Sequence, residues 1–368
     1  MISFQPTDEQ QMMADTLRDF ARSRLQPAAH SADEQRRLDA DTLATADEFA
    51  VVAANIPEEY GGFGDGYSAL TGVLIAEALA EGDLSAALHL LAPAGVAAAL
   101  IAAGSEAQKI AWLSRFANEG YFASSALIEP QWNYDPLALQ TVAGREGDEY
   151  VISGTKSLVI MPQQDVEEHD LLLFAHDEAA GMTQAFIVDT AREGVTIGTR
   201  ERGMGLRALD YRRITFNEVR LPIGAKLGEA AGCDVQRLLN HARVGAAAMA
   251  TGVARASYEF AQSYAKEREA FGKPVAQFQS IAFMLAEMRI AVESMRLLTW
   301  EAAWQLDQGQ EATQSAVIAK QYADEYALQV ADRAVQVLGG HGYIRNYLVE
   351  RGLRDARAFA VLQGIGAI

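Results

Sequence analysis

The chain has 368 residues, of which 50% are hydrophobic and 22% charged, with a formal net charge of −18. That is the balance of a globular protein long enough for two or three packed units, and the acidic excess argues against a nucleic-acid groove or an anionic membrane as partner. A single cysteine, Cys233, excludes an internal disulfide and suits a reducing cytoplasm. The start MISFQPTDEQ has neither the basic residues nor the apolar run of a signal peptide.

Residues 1–121 read as helical. Thr7 and Gln10 form a capping box ahead of Met12, Met13, Leu17, Phe20 and Ala21 at helical spacing. IPEEYGGFGDG is a loop, opened by Pro57 and loosened by its glycines. The apolar stretch Leu84–Gly104 is long enough for a membrane span, but its alanines, His89, Pro93 and Gly95, and the lack of a basic flank, make it a buried helix or helix pair. Ser105 then reads as a cap, with Ile110, Trp112, Leu113 and Phe116 as an apolar stripe.

Residues 122–228 change period. Short runs rich in Val, Ile, Thr and Phe, such as EYVISGTKSLVI, TQAFIVDT and RRITFNEVRLP, alternate with Gly, Asp and Pro turns. They predict a small antiparallel β domain. Residues 229–368 return to long helices over 235–269, 276–309 and 311–340, apolar on more than one face, which predicts a bundle continued by other subunits. Gly and Ala between Gly245 and Gly252 allow close helix approach. The fold class is therefore α+β, mainly α, with an N-terminal helical domain (1–121), a middle β domain (122–228) and a C-terminal helical bundle (229–368). Cys233 has no neighbouring His or Cys and reads as a plain loop cysteine.

TDEQ, IPEEYGGFG, GSEAQK, the Glu129-Pro130 pair, GDEYVISGTK, GMGLRALDYRRITFNEVRLP, REAFGKPVAQFQ, VLGGHGY and the late RDA occur in that order along nearly the whole chain. The ordered set resembles the acyl-CoA dehydrogenase family. The resemblance implies an FAD enzyme in which a carboxylate removes the proton beside a thioester carbonyl, a hydride passes from the next carbon to the flavin, and an electron-transfer flavoprotein reoxidises it.

Measured against that family, three sites differ in character. Where relatives carry the basic Glu, this chain has Gln363, whose amide cannot hold a proton at neutral pH. The alternative home of the base, directly before Arg243, is Ala242. His241 points about 100° away from Ala242 around a helix and reads as a satisfied or solvent-facing histidine. On the flavin-ring side, Ile128 replaces a Thr, large residues including Trp132 and Tyr134 replace small ones, and Leu158, Val159, Ile160 and Met161 stand in the Trp-Ile-Thr-Asn positions. The set that relatives offer to the nucleotide end of a neighbouring subunit's FAD is present as Arg268, Phe271, Gln279, Gln336, Gly339 and Gly340. Arg268 has the planar fork for a pyrophosphate and the glycines allow backbone approach. Singly these would be a helix-end arginine and a helix C-cap; as a spaced set they point to cofactor binding.

The resemblance then implies a catalytically degenerate, non-catalytic subunit of a heteromeric α2β2 bacterial acyl-CoA dehydrogenase, inactive alone. It would complete the FAD site of a homologous catalytic subunit that works on an acyl-CoA with an electron-transfer flavoprotein. Such heteromers are associated with lipid or steroid breakdown. No catalytic or metal-binding residue is assigned, and a cytoplasmic location is expected. Two alternatives remain open: a complete homo-oligomeric FAD-dependent acyl-CoA dehydrogenase with its base relocated, and a flavin-free scaffold or binding protein that keeps only the fold.

Overall fold

The computed structural model describes residues 4–64, 66–117, 121–163, 166 and 168–361. Helix α1 (Asp8–Phe20) starts from Thr7, whose hydroxyl accepts from the Gln10 amide while the Gln10 side chain reaches back to the Thr7 amide. It runs through a π-helical turn, Ala21–Leu25, into α2 (Gln26–Gln35). Pro27 explains the wide turn, because it has no amide to offer the preceding carbonyls. After α3 (Ala40–Asp47), α4 (Ala69–Gly82) and α5 (Leu84–Ala103) follow almost end to end, with Asp83 closing one and capping the next through Ala86 N at 2.9 Å. Capping of this kind is worth about 1 kcal/mol. Helix α5 is the apolar stretch noted in the sequence, and most of it lies in the core. Ser105 opens α6 (Glu106–Trp112) with a second capping box, to Gln108.

The strands are β1 (Tyr121–Ala126), β2 (Val142–Glu146), β3 (Glu149–Ile160), β4 (Glu168–Asp177), β5 (Met182–Asp189), β6 (Val195–Arg200) and β7 (Tyr211–Pro222). They form one sheet of order β1-β4-β2-β3-β7-β6, with β5 antiparallel on β4. The sheet is mixed rather than wholly antiparallel, since β1 and β2 both run parallel to β4. The long excursion between β1 and β4 supplies the crossover that parallel pairing needs. Its core holds Tyr150, Ile152, Val159, Phe186, Ile214, Phe216 and Leu221.

Helix α7 (Val235–Glu267), the short hairpin β8 (Glu269–Ala270) and β9 (Lys273–Pro274), α8 (Gln279–Asp307), α9 (Thr313–Leu338) and α10 (Leu348–Ala356) complete the chain. Helix α7 packs on α9, α4 and α8. The close approach expected of Gly252 is real: a Cβ there would lie 2.3 Å from the Glu77 carbonyl oxygen on α4. Buried charge stitches the same layers. Arg296 on α8 grips Glu77 on α4, with Nε to Oε1 at 2.9 Å, and Arg18 and Arg255 meet Glu81 at 3.3 and 3.7 Å. At the other end of α4, Asp307 accepts from Ser68 Oγ at 2.9 Å and from the amides of Ala69 at 2.6 Å and Leu70 at 3.1 Å. Fold class and layer order are those expected of an acyl-CoA dehydrogenase: helices, sheet, helices.

Candidate active site

Three elements with small or apolar faces converge beside the N-terminal part of α7. Gly95, Ala98 and Ala99 come from α5, and Ser125, Leu127, Leu172 and Phe174 from β1, its continuation and β4. Leu238, Leu239, His241 and Ala242 come from α7. Between them lies a cavity of about 20 Å³, room for about one water. Ala242, one of the two positions where a base was sought, stands in its wall. The other, Gln363, lies outside the described residues.

His241 stands in the same wall and is 7% exposed. It is buried rather than solvent-facing, and one of its two ring nitrogens has a hydrogen-bond partner among the described residues. Its Nδ1 lies 3.0 Å from the Tyr67 hydroxyl, whereas Nε2 is buried with no hydrogen-bond partner among the described residues. The 100° separation on the helix does not keep His241 and Ala242 from sharing one cavity, because the cavity wraps around that turn. Burial, then the nearby Arg237 charge, push the imidazole down to about 4, so it is neutral at physiological pH. Burial and then Asp307 push the Tyr67 phenol above its ordinary range. Beyond Tyr67 a cleft of about 370 Å³ opens, lined by Tyr67, Ser68, Ile101, Arg237, His241 and Asp307.

On the ring side, β3 is tied to the segment after β1. Ser157 N donates to the Ile128 carbonyl at 2.8 Å, and Lys156 Nζ donates to the Leu127 carbonyl at 3.1 Å and to Glu129 Oε1 at 3.0 Å. Glu129 also accepts the amides of Gln140 and Thr141, both at 2.7 Å. Burial works to raise the Glu129 carboxyl, but Lys156 and these amides outweigh it and hold it low. Burial brings Lys156 down to about 8 against the pull of Glu129. The β3–β7 register is irregular between Lys156 and Val159, and there Leu158 adopts φ +57°. Leu158 and Ile160 line a mostly apolar cavity of about 240 Å³ with Gly203, Leu206, Tyr211 and Arg354. The buried Ser157 hydroxyl has no partner among the described residues. Ile128 is buried in the core, and Trp132, 98% exposed, points into solvent and so does not fill a cavity where small residues were expected.

The nucleotide set gathers at one end of the bundle. Helices α7, α8 and α9 alternate in direction, so the end of α7, the start of α8 and the end of α9 lie together, as the 2.8 Å contact of Tyr264 Oη with His341 Nδ1 records. Arg268 caps α7 and makes no ion pair among the described residues; Phe271, at φ +54° on the hairpin tip, is 97% exposed. Gln279 begins α8 and Gln336 ends α9, both exposed, and a Cβ on Gly339 or Gly340 would meet nothing within 4 Å. An unpaired guanidinium beside open glycine backbone and an uncovered ring suits a nucleotide diphosphate.

Two family models match: the acyl-CoA dehydrogenase N-terminal domain over residues 7–120 and the acyl-CoA dehydrogenase C-terminal domain over residues 232–368. The chain is 33% identical to the mitochondrial short-chain specific acyl-CoA dehydrogenase of Bos taurus, covering 97% of this chain and 87% of that one. It is 32% identical to the short-chain specific acyl-CoA dehydrogenase of Clostridium acetobutylicum, covering 100% and 97%. The structure of butyryl-CoA dehydrogenase from Megasphaera elsdenii superposes with a TM-score of 0.89 at 32% identity, covering 99% of this chain and 96% of that one. These matches overturn the expectation of a degenerate, non-catalytic subunit that is inactive alone and serves a separate catalytic partner, because the relatives matched from end to end are dehydrogenases in their own right. That expectation rested on the residues at Gln363 and Ala242 and set His241 aside as a satisfied or solvent-facing residue, whereas it is buried in the wall of the Ala242 cavity. The chain belongs to the acyl-CoA dehydrogenase family, whose fold is that of an FAD-dependent oxidoreductase.

Proposed function

We propose that this chain is a complete FAD-dependent acyl-CoA dehydrogenase that introduces an α,β double bond into a short acyl-CoA. The observation that carries the reading is the gathering of Arg268, Phe271, Gln279, Gln336, Gly339 and Gly340 at one exposed end of the bundle, in a chain similar throughout its length to such enzymes. These residues would hold the nucleotide end of an FAD bound to a second copy of the chain, with Arg268 on the pyrophosphate and Phe271 as an apolar wall. Leu158 and Ile160 would face the ring. FAD, when bound, supplies the hydride acceptor. The short acyl group is proposed from the short-chain specific relatives, and an electron-transfer flavoprotein is the proposed oxidant of the reduced enzyme. The location is proposed to be cytoplasmic.

The purified protein should be yellow, and anaerobic butyryl-CoA should bleach its flavin band. A protein that takes up no FAD, or whose flavin no acyl-CoA from four to sixteen carbons reduces, would refute the reading.

A further inference from the structure

The nucleotide end is built from two separate pieces of chain: the end of α7 with Arg268, and the turn after α9 with Gly339 and Gly340. One residue holds both. The Tyr264 carbonyl accepts the Arg268 amide at 2.8 Å, and the Tyr264 hydroxyl lies 2.8 Å from His341 Nδ1. The same imidazole stacks on Tyr347, with ring centroids 5.3 Å apart and an interplanar angle of 11°. Gly342, the next residue, is pinned as well, since a Cβ there would lie 2.3 Å from the Val335 carbonyl oxygen on α9. Gly339 and Gly340, by contrast, would meet nothing within 4 Å. The turn is fastened at His341 and Gly342 and bare at the two glycines before them.

We infer that the Tyr264–His341 bridge fixes the spacing between Arg268 and the Gly339–Gly340 backbone, so that both reach one pyrophosphate together. The two are positioning residues, and neither needs to touch the cofactor. The inference rests on the acyl-CoA dehydrogenase reading, in which this end takes the FAD of a second copy. A guanidinium and an exposed stretch of backbone act jointly on one diphosphate only when their separation is set beforehand. Without the bridge the nucleotide itself would have to order α7 against the turn, and that ordering would be drawn from the binding free energy. The stack on Tyr347 carries the support on to α10, of which Tyr347 is the N-cap.

FAD retention tests this. Loaded protein would be diluted in steps and the released flavin read by its fluorescence, beside the melting temperature of the flavin-free protein. The net worth of one hydrogen bond corresponds to about a three- to tenfold change in affinity. Tyr264→Phe removes a single oxygen, so it should weaken FAD binding by that factor and leave the flavin-free melting temperature where it is. His341→Ala should lose at least as much, and His341→Asn, whose amide can meet the Tyr264 hydroxyl, should recover most of it. In an Arg268→Ala background, Tyr264→Phe should lose less than about twofold, because the spacing matters only while both sides grip. Wild-type FAD affinity in Tyr264→Phe would overturn the inference, and so would full additivity of the Tyr264 and Arg268 changes. A lowered melting temperature in Tyr264→Phe, with no rescue by His341→Asn, would reduce the bridge to packing and overturn it too. A His341→Ala protein that fails to fold does not shield the claim, because Tyr264→Phe decides it alone. Wild-type protein that takes up no FAD would remove the dehydrogenase reading itself, whereas weakened binding in Arg268→Ala beside an unaffected Tyr264→Phe would remove only the bridge.

Discussion

Lys156 Nζ lies 3.0 Å from Glu129 Oε1, with 0% and 2% of the two side chains exposed. Breaking a buried pair by removing one partner typically costs about 3–5 kcal/mol, because the other charge is stranded. Lys156→Met should therefore lower the urea-unfolding free energy by about that amount and loosen the segment that holds Ile128. A loss under about 1 kcal/mol would mean that the two backbone amides alone support Glu129.

Burial, and then the neighbouring Asp83, push the Asp355 carboxyl up to about 7, while its Oδ1 accepts the Leu206 amide at 2.7 Å. A raised native value means that the folded state holds this proton more tightly than the unfolded chain, whose Asp titrates near ~4. The stabilising contribution is thus present below about pH 4 and is lost as pH rises through the native value, with a slope of at most about 1.4 kcal/mol per pH unit. Asp355→Asn should flatten unfolding stability between pH 5 and 7; an unchanged slope would place the titration elsewhere.

Arg268 is exposed and touches no acid among the described residues. Arg268→Ala should leave the melting temperature of the flavin-free protein where it is. It should weaken FAD binding about ten- to a hundredfold, the worth of one charge-assisted hydrogen-bonding group. Equal FAD affinity in a titration followed by flavin fluorescence would remove Arg268 from the cofactor site.

Gly252 sits where α4 and α7 touch. Gly252→Ala would press a methyl group into the Glu77 carbonyl, and overpacking of this kind costs about 1–3 kcal/mol. Calorimetry should show a lowered melting temperature; an unchanged one would mean that the two helices slide apart freely.

Much of the fold could be read locally. Thr7 with Gln10, and Ser105, announce helix starts because capping is a matter of three adjacent residues, and the change from period 3.6 to period 2 marks the sheet. The parallel pairing of β1 and β2 with β4 could not be read that way, because strand direction is set by partners far along the chain. The same limit applies to the site. Arg268, Gln336 and Gly339 belong to motifs, so their order showed them. Tyr67 and His241 are 174 positions apart and meet only because the start of α4 lies against α7. Trp132 misled for a related reason: its size was visible in the sequence, its outward direction was not.

Asp307 ends α8, lines the same cleft as Tyr67 and His241, and grips the first backbone amides of α4, immediately after Tyr67. One carboxylate at the end of a 29-residue helix thus holds the point from which α4 sets out. A lesion in that carboxylate would unfasten the start of α4 and strip the cleft of its negative charge in one stroke.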